Sequence, residues 1–297
     1  MAALTNDLMK LCHANRDGSR GTQANRRDTL ALFAAQLGEA GYRLPSARSI
    51  KPKHIAALVG RWKGEGLGAG TIKNRMAHVR WWVKKVGKTS ILAGDNAAYG
   101  IENRVGSVQS RAQRLDEGKA AKVPDAHVRA SLRLQAAFGL RREEAIKFAP
   151  RLADKGDYIA LKPSWTKGGR YREIPITHPR QRKILDEVKT LAGSGSLIPE
   201  GRRYVDQMKR YDYQTLKAGL SNLHGLRHGY AQWRYKALTG WDCPMAGGRY
   251  ASAMNRDDAR TDYAARLQVA RELGHDRIDV TNAYLGGRRP PKGGPKS

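Results

Sequence analysis

The sequence predicts a mainly α protein in two domains, with one small antiparallel β-hairpin in the second. Apolar residues recur at steps of three and four over most of the 297 residues, the period of helices that bury one face. One stretch, DYIALKPSWTKGGRYREIPI, reads instead as two short strands joined by a turn at Gly168 and Gly169. Periodicity fades between about Thr89 and Ala121, where GIENRVGSVQSRAQRLDEGKAAKVP forms a polar connection, and the chain is long enough for a core on either side.

In the first domain, Thr22 opens TQANRRDTLALFAAQLGEAGY, in which Leu30, Phe33, Ala34 and Leu37 share a face before Gly38 and Gly41. Ser49 precedes IKPKHIAALVGRWKGEG, which the glycines at 64, 66, 68 and 70 end. Thr71 is placed to cap TIKNRMAHVRWWVKKVGK, where Ile72, Met76, Val79, Val83 and Val86 form an apolar stripe. In the second domain, PDAHVRASLRLQAAFGLRREEAIKFAP reads as two helices around Gly139. The hairpin follows, then helices in HPRQRKILDEVKTLAG, YDYQTLKAGLSNL, HGLRHGYAQWRYKAL and TDYAARLQVARELG. The tail GGRRPPKGGPKS has no apolar residue with which to pay for ordering, so it is expected to be flexible.

Charge narrows the partner. Lys plus Arg number 55 against 27 Asp plus Glu, a formal +28 whose self-repulsion calls for a polyanion. No apolar run of roughly 18 residues is present to span a membrane, and the N-terminus has no signal-peptide pattern. A cytoplasmic, nucleoid-associated protein bound to double-stranded DNA is the expectation. Lys73, Arg75, Arg80, Lys84 and Lys85 lie off the apolar stripe of their helix and are the candidate backbone contacts, the alternative being a solvated face. Cys12 and Cys243 are far apart, which argues against a disulfide framework or cysteine-ligated zinc and for two packing residues. Trp81, Trp82 and Trp165 suit core packing, with base stacking as the alternative.

HGLRHGY, residues 224–230, is open to several readings alone. His224 and His228 stand four apart, as in a metal pair, but no acidic or cysteine partner completes such a site. Both histidines would also suit a helix surface. Three other stretches change the weighting: GLRREEA with Arg141, SWTKGGRYREIPI with Lys167, and ELGHDRIDVTNAYL, where His275 precedes Tyr284 by nine residues. In this order they resemble the active-site signature of the tyrosine recombinases, the lambda-integrase family, over roughly residues 120–285. The resemblance includes Glu144 in the first box and the nine-residue step in the last.

That resemblance implies a helical, SAM-like core-binding domain over 1–100, a linker over 101–121, a catalytic domain over 122–285 and a basic tail over 286–297, the two domains closing on DNA as a C-shaped clamp. Arg141 and Arg227 would clamp the scissile phosphate, a task suited to guanidinium forks that keep their protons. Tyr284 would attack phosphorus, His224 would take its proton, Lys167 on its turn would protonate the leaving 5′ oxygen, and His275 would bond a phosphate oxygen. Glu144 would buttress Arg141. Neither metal nor cofactor is implied. His228 is expected to be structural, and Tyr230, on the helix that carries Arg227, to be packing.

Two departures from the family pattern stand out. His275 follows His228 by 47 positions, a long step whose excess, TGWDCPMAGGRYASAMNRDDARTDY, reads as a surface insertion. The region before the linker leaves no evident room for the extra small domain of lambda-type integrases. The charge and the insertion favour a mobile-element integrase, acting as a homotetramer on synapsed sites with an accessory directionality factor, over a Xer-type chromosome-dimer resolvase. A type IB topoisomerase and a non-catalytic DNA-binding regulator are the rivals from other classes.

Overall fold

The computed structural model describes residues 2–102, 109–275 and 277–290. The chain divides into two compact units, residues 1–105 and 106–297. Two parts of the sequence reading, positions 103–108 of the linker and 291–297 of the tail, lie outside the described residues.

The first unit holds α1 (Ala2–Ala14), α2 (Arg20–Glu39), α3 (Pro52–Gly64) and α4 (Ala69–Lys85). Their apolar stripes meet in one core that includes Leu8, Leu30, Phe33, Leu37, Ile55, Trp62, Met76, Val79 and Trp82. Both buried indoles satisfy their N–H: Trp62 donates to Gln36 Oε1 at 2.9 Å and Trp82 to the Ala47 carbonyl at 2.9 Å. Trp81 is half-buried, donates to Asp17 at 3.0 Å and has the Arg26 guanidinium 4.2 Å above its ring. The expected caps are displaced by a few residues. Ser19, not Thr22, caps α2, accepting the Thr22 amide at 3.2 Å. Ser49 falls in a 3₁₀ turn, because Pro52 at the first helical position sets the start of α3. Thr71 lies inside α4, which starts from Gly68.

The second unit contains α5 (Glu117–Ala121), α6 (Ala126–Phe138), α7 (Arg142–Ile146), α8 (Pro150–Ala153), β1 (Tyr158–Leu161) and β2 (Arg172–Pro175). It continues with α9 (Pro179–Ala192), α10 (Tyr204–Lys217), α11 (His224–Thr239), α12 (Arg256–Glu272) and α13 (Ile278–Leu285). The two strands pair antiparallel, Tyr158 opposite Pro175 and Leu161 opposite Arg172. The main core gathers α6, the hairpin, α9, α11, α12 and α13 around residues such as Phe138, Phe148, Ile174, Leu185, Tyr235 and Val269. Trp165 is buried there against Phe148, at 5.9 Å between ring centroids.

Three stretches are held by specific contacts. Much of the supposed linker belongs to the second unit: the Gln113 amide donates to the Gly225 carbonyl at 2.9 Å, and Ala120 of α5 is buried. The long step before His275 is only partly a surface insertion, since Cys243 is fully buried in the main core with Trp241 and Met245 packed against it. The tail's first residues are also tied down. Arg266 donates to the Gly286 carbonyl at 2.8 Å, and Arg288 pairs with the buried Asp262 at 2.8 Å while its carbonyl accepts the Ala251 amide. A sequence of glycine, proline and basic residues hid these contacts because Asp262 and Arg266, which hold it, lie on α12.

Candidate active site

Gly139 ends α6 in the left-handed conformation (φ 61°), and a Cβ there would stand 2.5 Å from Tyr230 Cδ1. The chain therefore passes flat against α11, and the Gly139 carbonyl accepts from Arg227 Nη1 at 2.5 Å. Two residues on, Arg141 caps α7, whose Glu144 accepts the Arg141 amide at 2.7 Å and its Nη1 at 2.8 Å. Arg141 Nη2 reaches His275 Nε2 at 3.3 Å and the Leu273 carbonyl at 3.4 Å. Arg227 Nη2 donates to that same carbonyl, and its Nε donates to the Tyr284 hydroxyl at 3.3 Å. Arg227 is 1% exposed and Tyr284 7%. Two cations thus converge on one carbonyl, and one of them bonds the phenol.

Three imidazoles surround that phenol. His224 and His228 project from one face of α11, four residues apart. Ring centroids lie 4.4 Å from Tyr284 for His228, 5.6 Å for His275 and 6.1 Å for His224. Burial and the positive charges of Arg227, Arg141 and Arg111 lower the pKa of His224. His228 falls further, to about 4, through burial, His224, Arg111 and Arg227, and its Nδ1 has no hydrogen-bond partner among the described residues. The His228 ring is therefore neutral at physiological pH and packs against Tyr284. Because its folded pKa is depressed from 6.5, the unfolded chain takes a proton between pH 6.5 and 4 that the folded chain refuses. Stability should be full above pH 6.5 and fall by on the order of 2 kcal/mol toward pH 4. Denaturant unfolding of wild type and His228→Asn at pH 7.5 and 4.5 checks this, the variant losing less.

The family described as "Phage integrase, N-terminal" matches residues 1–92, and that described as "Integrase" matches residues 105–233. The chain belongs to the lambda-integrase family of tyrosine recombinases. Among solved structures, a lambda integrase dimer bound to a COC′ core site is 16% identical, with a TM-score of 0.62 over 99% of this chain and 80% of that one. The XerH site-specific recombinase bound to palindromic difH is 17% identical, at a TM-score of 0.59 over 95% and 80%. The Tn1549 transposon integrase with circular intermediate DNA is 14% identical, at 0.57 over 95% and 94%. At these identities the likeness is one of fold, mainly α with a small hairpin. No curated protein matches the chain.

Against the recombinase signature, Arg141, Arg227, His275 and Tyr284 are joined by hydrogen bonds, and the His224 ring faces the same phenol. Lys167 is not brought in: it sits exposed on the turn between β1 and β2, and among the described residues it has no hydrogen bond or ion pair with Arg141, Arg227 or Tyr284. Tyr230 is 2% exposed, donates to Glu272 Oε2 at 2.7 Å, and has its pKa raised well above the usual range by burial and that carboxylate. Sequence reasoning missed Arg172, which donates twice to Glu144, at 2.9 and 2.6 Å. The signal was available: Ile174 is a buried strand position, and a period of two puts Arg172 on the same face, where a buried cation needs a carboxylate. Glu272 was missed as well; it accepts from Tyr230, Arg234 and Gln268 and ties α11 to α12.

The candidate DNA face on α4 divides. Arg75 lies over the Trp62 ring at 5.4 Å, and Arg80 donates to Asn96 at 2.8 Å. Lys84 and Lys85 are exposed and Lys73 half-buried, with Lys85 3.8 Å from Asp17. No helix among the described residues is long and apolar enough to cross a membrane.

Proposed function

We propose that this tyrosine recombinase integrates or excises a mobile DNA element, cutting and rejoining each strand through a 3′-phosphotyrosine at Tyr284. The observation that carries the reading is the convergence of Arg141 and Arg227 on the Leu273 carbonyl, beside the Tyr284 hydroxyl. A phosphodiester repels nucleophiles until its non-bridging oxygens are neutralised, and paired guanidinium groups do this without a metal. Tyr284 then bonds to phosphorus as the bond to the 5′ oxygen breaks. His224 takes the phenolic proton, Lys167 swings in on its turn to protonate the 5′ oxygen, and His275 bonds a non-bridging oxygen. One phosphoester replaces another, so resealing to a new 5′-hydroxyl needs no nucleotide. Two synapsed sites with four subunits complete an exchange, and an accessory protein sets its direction. A lambda integrase tetramer bound to a Holliday junction, 18% identical at a TM-score of 0.53 over 78% of this chain, supports that stoichiometry.

The test uses a nicked duplex carrying the element's end, from which the short 5′-hydroxyl fragment diffuses away once cut. Wild-type protein should leave a denaturant-resistant adduct. A folded, DNA-binding protein that makes none would be the non-catalytic regulator, and efficient relaxation of a supercoiled plasmid without the site would indicate the topoisomerase.

Affinity should rest on phosphate contacts, with Lys73, Lys84 and Lys85 among them. With roughly six phosphates neutralised, affinity should drop about a thousandfold between 50 and 200 mM salt. Fluorescence anisotropy across that range gives the slope, and a flat one overturns the phosphate contacts.

A further inference from the structure

Glu144 is fully buried, and its two oxygens receive four donors. Oε1 accepts Arg141 Nη1 at 2.8 Å and Arg172 Nη1 at 2.9 Å; Oε2 accepts the Arg141 amide at 2.7 Å and Arg172 Nη2 at 2.6 Å. Burial alone would raise the pKa of this carboxyl, but the hydrogen bonds of Arg172 and the charges of Arg172, Arg227 and Arg141 hold it down to about 2. It is a permanent anion next to a cation that must hold another anion.

Charge counting makes the difficulty plain. Arg141 with Glu144 alone is neutral, and a guanidinium matched to a buried carboxylate has little left for a phosphate. Adding Arg172, itself 7% exposed, returns the trio to a net positive charge. Its fork takes up Glu144 on one side, leaving Arg141 Nη2 pointed at His275 and the Leu273 carbonyl. Arg172 also touches the other leg of the clamp: a Cβ on Gly274, the residue between Leu273 and His275, would stand 2.9 Å from Arg172 Nη1.

We infer that Arg172 is a positioning residue for the phosphate clamp, neutralising Glu144 so that the charge of Arg141 stays available to the scissile phosphate. This rests on the recombinase reading above. A purely structural ion pair is the alternative, and buried pairs often add little net stability. The two roles separate in single-turnover cleavage of the nicked substrate, measured with DNA affinity and thermal unfolding.

Arg172→Met should cut the cleavage rate about a hundredfold or more in bound, folded protein, the scale of losing one transition-state donor. Arg172→Lys, which keeps the charge without the fork, should retain more than Arg172→Met. The decisive variant is Arg172→Met with Glu144→Gln: removing the carboxylate's charge frees Arg141 again, and cleavage should recover at least about tenfold over the single variant. The double variant also leaves no unpaired anion buried, so it remains informative if Arg172→Met fails to fold; cleavage then stays within about tenfold of wild type. A structural role predicts instead a lower melting temperature with wild-type cleavage by the folded fraction, or a folded double variant as inactive as the worst single one, and either result overturns the inference. Failure of the wild type itself to form the adduct would defeat the recombinase reading, a distinct outcome.

Discussion

Tyr284→Phe should abolish the covalent protein–DNA adduct while leaving DNA affinity within about twofold of wild type, since no oxygen remains to attack phosphorus. The change removes one hydroxyl and keeps the ring against His228, 4.4 Å away, so α13 and its anchoring to Arg266 through Gly286 stay as they are. Tyr230 is the control. Its hydroxyl already donates to Glu272 at 2.7 Å, and burial with that carboxylate pushes its pKa well above the usual range, so it is neither free nor ionisable enough to attack. Tyr230→Phe should keep the adduct and cost about 1–3 kcal/mol of stability, because Glu272 loses a buried donor. A denaturing gel of each protein on labelled nicked substrate reads the first effect, and thermal unfolding the second. An adduct made by Tyr284→Phe and missing in Tyr230→Phe would move the nucleophile to α11.

The residues that met in this site were legible for different reasons. Arg141, Arg227, His275 and Tyr284 stand in short motifs whose order survives in one dimension, so a resemblance could find them. Arg172 stands in such a stretch too, yet its meaning lies in Glu144, 28 positions earlier, and only the pairing of β1 with β2 turns its side chain to that carboxylate. Helix stripes were readable because period and burial coincide, as at Ile72, Met76, Val79 and Val83. Caps were less so: Ser19 and Thr22 are both sound cap residues, and in the fold it is Ser19 that accepts the Thr22 amide. The stretch around Cys243 looked like surface because its few apolar residues are scattered, although they fill a gap in a core built mostly by other helices. Lys167 is the reverse case. Its motif marks it for chemistry, while its place on an exposed turn leaves delivery to a movement that DNA binding would have to drive.

Arg227→Ala should cost both cleavage and stability, because this side chain joins three pieces of chain and carries charge. Its guanidinium donates to the Gly139 carbonyl at the end of α6, to the Leu273 carbonyl after α12 and to the Tyr284 hydroxyl on α13. Burial and the nearby Arg141 lower its pKa to about 10, which still leaves it fully protonated at neutral pH. Truncation therefore removes a cation from the site and leaves two buried carbonyls without this donor. Cleavage should lose on the order of 3 kcal/mol or more, at least a hundredfold in rate. Stability should fall by about 2–4 kcal/mol from the unsatisfied acceptors and the space left behind. Arg227→Lys separates the two losses, since an ammonium keeps the charge but cannot serve three acceptors set at fork geometry. It should regain part of the stability and little of the cleavage if alignment of Tyr284 matters, and much of the cleavage if charge alone does. The first result is expected, because Nε is the atom bonded to the Tyr284 hydroxyl. Single-turnover rates of both variants, at temperatures where each is fully folded, decide between them.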